Sequence, residues 1–500
     1  MKVVFILFDS LNRRALGPYG GTEQPTPSFD RLAARSQVYD KHYVGSMPCM
    51  PARRDMMTGR LSFLHRSWGP LEPFDNAFPE ILHDAGVHSH LVTDHYHYWE
   101  DGGATYHNRY TSFDFVRGQE ADPWKVDKSK PLDEISRKYH PKQRGGGVKG
   151  IYEPYIVNRE FITEEQDFPS HRTFARGLDF LSRNHAAENW LLQIETFDPH
   201  EPFHAPDRFK DAFRTGWNGP IRDWPTYGRG NDDPGEAEEL RANYRATLAH
   251  CDELLGKVLD AFDAHDLWKD TALIVTTDHG FLLGEHDFWA KNRMTIYQEI
   301  ANIPLFIHDP RAPQAGRVRD VTQSIDIAPT LLALFGLPPA PEMKGRSLVG
   351  EAHHDAVIFG YFGGAVNITD GHHTYHRYPD SIEDQEIHQY TLMPTHLKTR
   401  FTPRELAGAT LHPPFSWTKG VPVLKVPVIH RSPFYTNYGP GSLLESETRL
   451  YDVDSDPGQG KPLDDPRTEV RLIERMRELM IENDAPPEAY SRIGLGGPGE

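Results

Sequence analysis

The chain has 500 residues, 54 of them Lys or Arg and 72 Asp or Glu, for a formal charge of −18. An acidic protein of this size repels polyphosphate, and no basic patch offsets that, so nucleic acid and anionic membranes are excluded as partners. Two cysteines, Cys49 and Cys251, exclude a disulfide scaffold, and 500 residues bury a core without one.

In chain order, the first element is Val3–Phe8, an apolar run followed at once by Asp9. It is too short for a signal-peptide core or a membrane span, so a buried strand in a soluble cytoplasmic protein is expected. His88–Thr93, Trp190–Glu195, Ala272–Thr277 and Pro304–Ile307 repeat the pattern: brief runs rich in Val, Ile, Leu and Phe. Between them, Ser28–Ser36 follows the Pro25/Pro27 pair, and Leu240, Tyr244, Leu248, Cys251, Leu255, Val258 and Phe262 recur three and four apart. The alternation predicts an α/β fold with a large mixed, mostly parallel sheet flanked by helices. Arg117–Gly150, with its Gly145–Gly147 triplet, and Thr215–Glu238 read as long loops serving as pocket walls or oligomer contacts. Beyond Gly345–Leu348 the texture changes. Val357–Tyr361, His373–Tyr378, Val423–Ile429 and Thr448–Val453 predict a smaller antiparallel sheet, closed by a helix with Val470, Ile473, Met476 and Met480 on one face. The division expected is an α/β domain over 1–350 and a smaller α+β domain over 351–500.

Ligands of open α/β sheets bind at the carboxyl ends of the strands. Here those ends read Asp9-Ser10, Asp94-His95, Glu195-Thr196-Phe197-Asp198-Pro199-His200 and Asp278-His279-Gly280. One such Asp is ordinarily a turn former or helix cap, but four ends together point to a site. Asp9, Asp278 and His279 make a plausible divalent-metal set of hard oxygens and one nitrogen, with Gly280 allowing the sharp turn that lets both neighbours reach one ion. The 27 histidines, against roughly 2% in average composition, also favour an enzyme. The densest local signal is Cys49-Met50-Pro51-Ala52-Arg53-Arg54-Asp55-Met56-Met57-Thr58-Gly59-Arg60. Pro51 suits a first helical turn, which puts Cys49 at a helix N-terminus, acidified and reactive, with Arg53 on the same face. Cys251 reads instead as a small buried thiol.

Cys-x-Pro-x-Arg followed by Thr-Gly-Arg resembles the signature of the type I sulfatases of the alkaline phosphatase superfamily. The family's other marks follow in order: Asp9, Asp198-Pro199-His200-x-Pro202-Phe203, Thr277-Asp278-His279-Gly280, Lys291, Asp326-Ile327-x-Pro329-Thr330 and Leu450-Tyr451-Asp452. The resemblance spans nearly the whole chain. It implies an alkaline phosphatase-like fold and sulfate ester hydrolysis. Cys49 would be converted by a maturation enzyme to formylglycine, whose hydrate is the nucleophile. Arg53 would hold the hydrate, His200 and Lys291 would clamp the ester oxygens and protonate the leaving alcohol, and Asp9, residue 49, Asp278 and His279 would hold one divalent metal. The implied substrate is a small aryl, sugar or alkyl sulfate, and the oligomeric state is left open.

Three departures matter. Many sulfatases have two adjacent aspartates where this chain has Asp9-Ser10, and Asp-Asn where it has Asp278-His279. A one-aspartate, Asp-His set is similar to that of the phosphonate monoester hydrolases, which makes phosphodiester or phosphonate monoester hydrolysis the alternative and shifts the metal from Ca²⁺ toward Mn²⁺. Where the family has Gly-Lys-x-His, this chain reads Thr93-Asp94-His95-Tyr96-His97. Without a gap, Asp94 and Tyr96 take the substrate-binding and base positions; with one inserted residue, His95 and His97 do, and imidazole is the better base near neutral pH. A second alternative, from another class, is a non-catalytic metal-binding relative in which Cys49 stays a thiol.

Overall fold

The computed structural model describes residues 1–144, 152–350, 353–383 and 385–497. The Gly145–Gly147 triplet lies outside them. The main sheet has eight strands: β1 Lys2–Phe8, β2 Gln37–Tyr43, β3 His88–Thr93, β4 Ser112–Phe115, β5 Trp190–Thr196, β6 Thr271–Thr277, β7 Leu305–His308 and β8 Gly316–Gln323, in the order β8-β2-β7-β6-β1-β5-β3-β4. All neighbours are parallel except β7, which runs antiparallel to both β6 and β2. β1 lies at the centre, Phe8 level with Thr196 on one side and Thr277 on the other. That register brings Asp9, Phe197 and Asp278 to one edge.

The apolar runs form strands because a sheet covered on both faces buries every residue of its central strands, as β1, β5 and β6 do. One face is covered by α2 (Pro169–Asn184) and α3 (Pro234–Ala264), which packs Leu240, Tyr244, Leu248, Cys251, Leu255, Val258 and Phe262 into a cluster with Val4, Ile6 and Phe8. The other carries α1 (Cys49–Thr58) and α4 (Ile327–Leu334), grouped with Val3, Phe5 and Leu7. The stretch expected as a loop to Glu238 gives way to α3 at Pro234, where Asp233 caps the helix by accepting from the N–H groups of Gly235 and Glu236. Arg117–Gly150 also holds short helices, Leu132–Ser136 and Pro141–Arg144.

Val357–Tyr361, Val366–Thr369, His373–Arg377 and Arg449–Asp452 form an antiparallel run, and Ser46–Met47 pairs parallel to its Val357–Tyr361 edge. Val423–Pro427 belongs to a separate three-stranded sheet with His388–Thr391 and Thr410–His412. The closing helix α5 (Pro466–Glu482) buries Leu472, Met476, Leu479 and Met480, whereas Val470 is 55% exposed. The expected face is thus rotated, because Leu472 and Leu479, seven apart, share the buried stripe with Met476. Among the described residues, no helix is long and apolar enough to cross a membrane.

Candidate active site

Cys49 is the first residue of α1, with Pro51 in its first turn, and its side chain is buried at the sheet edge. Its Sγ lies 3.2 Å from His279 Nε2. The His279 Nδ1–H donates to the Gly280 carbonyl at 2.9 Å, which leaves Nε2 with its lone pair directed at Cys49 Sγ and at Asp278 Oδ2, 3.4 Å away. Gly280 serves a close approach rather than a special backbone angle: a Cβ there would run into the Glu299 carbonyl oxygen.

Arg53, four residues along α1, meets three carboxylates. Its Nη2 donates to Asp9 Oδ2 at 2.9 Å, its Nη1 to Asp278 Oδ2 at 2.5 Å and to the Cys49 carbonyl at 3.2 Å, and its Nε to Glu195 Oε1 at 2.7 Å. All four side chains are essentially fully buried. Ser10 adopts φ 60°, in the left-handed region, which lets its N–H reach Asp278 Oδ1 at 3.1 Å while its hydroxyl donates to Asp9 Oδ1 at 2.8 Å. Lys291 Nζ donates to Ser10 Oγ at 2.9 Å and stands 4.0 Å from both Asp9 Oδ1 and Glu201 Oε2.

These contacts set the protonation states. Despite its burial, Asp9 is held well below the usual carboxylate range by the cations Arg53 and Lys291 and by His95. Burial and the neighbouring Asp9 push Asp278 up. Lys291 is raised by the anions around it and stays an ammonium. The expectation of an acidified Cys49 fails: burial, then Asp9, push its thiol well above the ordinary value, outweighing Lys291 and Arg53. An unmodified residue 49 is therefore a protonated thiol, a poor nucleophile.

Asp9, Cys49, Asp278 and His279 each offer a donor atom, and these atoms all lie within 4.8 Å of one another. Three buried carboxylates, Asp9, Asp278 and Glu195, face only two buried cations, Arg53 and Lys291. Hard oxygens, one pre-oriented imidazole nitrogen and an excess of negative charge fit a divalent cation.

The remaining predicted residues divide. His200 donates its Nδ1–H to the Glu201 carbonyl at 2.5 Å, and burial beside Lys291 holds it well below its ordinary value. His95 is fully buried, stacked on Phe197 with centroids 4.6 Å apart, and its Nε2 lies 3.6 Å from Asp9 Oδ2. His97 hydrogen-bonds Glu100 Oε2 through Nδ1 at 2.8 Å, leaving Nε2 3.9 Å from Glu120. Asp94 turns away, accepting from the Phe197 N–H at 2.7 Å and the Thr196 hydroxyl at 3.1 Å, so it ties two strand ends together. Tyr96 donates to Glu120 Oε2 at 2.5 Å. Trp99 lies on Phe115 with ring centroids 3.6 Å apart, and Tyr106 and Tyr375 are buried.

Glu195 stands in the sequence only as a strand end without a role, and Glu201 and Tyr227 are not singled out there. Glu195 anchors Arg53 and accepts from Tyr98 at 3.0 Å, and Glu201, pushed up to about 7 by burial, hydrogen-bonds Tyr227. A carboxylate closing an otherwise buried strand was the available signal for Glu195, since such a group must be paired.

Residues 2–337 match the model of the Sulfatase family, and the chain belongs to that family. It is a sulfuric ester hydrolase with an alkaline phosphatase-like fold. It is 27% identical over 377 residues to a choline-sulfatase of Rhizobium meliloti, covering 70% of each chain, and 24% identical over 401 residues to an N-acetylglucosamine-6-O-sulfatase of Bacteroides thetaiotaomicron, covering 69% of this chain and 70% of that one. Among solved structures, the phosphonate monoester hydrolase of Silicibacter pomeroyi superposes with a TM-score of 0.61 at 17% identity, over 97% of this chain and 95% of that one.

Proposed function

We propose that the enzyme hydrolyses a small alcohol or aryl sulfate, with residue 49 as a formylglycine whose hydrate is the nucleophile and with one Ca²⁺ or Mn²⁺ held by Asp9, residue 49, Asp278 and His279. The observation that carries this is the convergence of those four buried side chains at the N-terminus of α1. The choline- and N-acetylglucosamine-6-O-sulfatases it resembles have alcohol sulfates in their names, which supports the substrate class. A bound cation would supply polarisation of the ester oxygens and an acidic hydrate. Arg53 keeps Asp9 ionised and aims both Asp9 and Asp278. Lys291, held as an ammonium, pairs with the anionic ester. An anion bound beside neutral His200 favours its imidazolium, from which the departing alkoxide takes a proton as the sulfur–oxygen bond breaks.

The covalent sulfate on residue 49 then leaves when a base removes the proton of the remaining hydroxyl and the aldehyde reforms. His97 suits this role: its Nδ1 is fixed by Glu100, and burial keeps the ring neutral with Nε2 free. His95, against Asp9, suits substrate positioning. His97→Ala is expected to release about one equivalent of alcohol in a burst and then stall, read by stopped-flow with a chromogenic aryl sulfate; an unaltered steady-state rate assigns the proton transfer elsewhere. The machinery lies wholly within residues 1–350, with 351–500 as its supporting unit.

A phosphodiester or phosphonate monoester is the second reading, favoured by Ser10 in place of a second carboxylate and by the imidazole of His279. These esters carry the same single negative charge as a sulfate ester, so the cations Arg53 and Lys291 serve either. Matched aryl sulfate, diester and phosphonate substrates decide it: kcat/KM is expected to be highest for the sulfate, and a diester preference of several decades reverses the assignment.

A further inference from the structure

Two histidines that the catalytic site does not use lie together behind the sheet. His250, on α3, is fully buried, and neither of its ring nitrogens has a hydrogen-bond partner. His171, near the start of α2, faces it with ring centroids 6.3 Å apart and planes 22° apart, and its buried Nδ1 also lacks a partner. Glu165, in the turn Glu165–Asp167 that leads into α2, places Oε1 3.8 Å from His171 Nδ1. One donor atom from each of the three lies within 4.8 Å of the others.

We propose that Glu165, His171 and His250 form a second metal site, separate from the catalytic one and suited to Zn²⁺. Two imidazoles and a carboxylate are a zinc donor set that leaves a fourth position to water. A tetrahedral ion with bonds of about 2.1 Å holds its donors about 3.4 Å apart, a contraction within reach of the part-exposed side chains of Glu165 and His171. Burial lowers both imidazoles, to about 3 for His250, so they stand neutral, the form that binds metal. Arg208 donates to both oxygens of Glu165, at 2.6 and 2.8 Å, and also to both oxygens of Glu253. Each carboxylate oxygen of Glu165 keeps a second lone pair, so the guanidinium can remain as the partner that orients the ligand. Glu165 and Arg208 also line a surface groove of about 480 Å³, so the carboxylate end of the cluster meets solvent. A bound ion would pin the entering turn and α2 to α3.

The test is metal counting on the chelator-stripped full chain dialysed against Zn²⁺, with a Co²⁺ titration followed by visible absorption. Wild type is expected to bind one more equivalent of Zn²⁺ than His171→Ala, and Glu165→Gln to weaken that equivalent by at least about tenfold. Asp278→Asn, which disturbs the catalytic cluster, should keep this equivalent together with the strong Co²⁺ band of a four-coordinate site. Adding His171→Ala to Asp278→Asn should abolish the band. Equal Zn²⁺ stoichiometry and affinity in wild type, His171→Ala and Glu165→Gln overturn the proposal. His171 is only partly buried, so its variant is readable where loss of buried His250 would disturb folding.

Discussion

Cys49→Ala should abolish turnover while leaving the fold in place. Removing the nucleophile from a site whose members act as a unit costs on the order of 10⁶-fold in kcat, with the remaining groups giving only residual acceleration. The stability cost should stay within about 1 to 2 kcal/mol, because one small buried group is lost and its sulfur makes no ion pair. Steady-state assay and urea unfolding of the same preparation check both halves. A variant that keeps a tenth of wild-type activity contradicts the nucleophile assignment. The raised thiol sharpens a companion measurement: mass spectrometry of the peptide around residue 49 in active enzyme should show aldehyde, since an unmodified Cys49 would be protonated at neutral pH. Active protein with only thiol at this position would favour a different nucleophile.

Arg53→Ala should be the most destabilising single change in the site. It strips Asp9, Asp278 and Glu195 of their shared guanidinium, and an uncompensated buried charge typically costs about 3 to 5 kcal/mol. The loss should depend on pH with a definite sign. In wild type the folded-state Asp9 is held well below its unfolded value, so its contribution is present above about pH 4 and fades as the pH falls through the folded value. The gap between Arg53→Ala and wild type should therefore be full at pH 7 and shrink toward pH 3. A saturating divalent cation should narrow it, because the ion takes over part of the charge compensation. Equal unfolding midpoints at pH 7 in chelator would refute the account. Arg53→Lys separates charge from geometry: one ammonium cannot aim at three carboxylates, so stability should recover in part and activity should not.

The central strands and the order of the site residues were legible because full burial demands an apolar run, as in Val3–Phe8 and Ala272–Thr277, and a carboxylate at the end of such a run stands out. The outer strands were not. Gly316–Gln323 and Gln37–Tyr43 mix charges with apolar residues because they lie at or next to the sheet edge and are half exposed, and their pattern resembles a loop. The reversal of Leu305–His308 left no trace in composition, since a strand's direction is set by its connections. At the site, residue types and order were visible, whereas charge balance was not. The sequence context of Cys49 suggested an acidified thiol, and its burial, then its placement beside Asp9 and Asp278, reversed that. Asp94 reads as a site residue because it is one of four strand ends that together carry carboxylates and imidazoles, and its two hydrogen bonds to the neighbouring strand end become visible only in three dimensions.

The parallel pairing of Ser46–Met47 with Val357–Tyr361 has a consequence for synthesis. The strand that leads into residue 49 finds its partner only after some 300 further residues have been made, on the order of 15 to 60 s at about 5 to 20 residues per second. Until then the segment before α1 lacks its sheet neighbour, and the cysteine that ends up 3% exposed is not yet enclosed by that sheet. On the proposed conversion of residue 49, the late arrival of the C-terminal strand acts as a clock, and slowing or removing residues 357–361 should lengthen the time during which that residue can be converted.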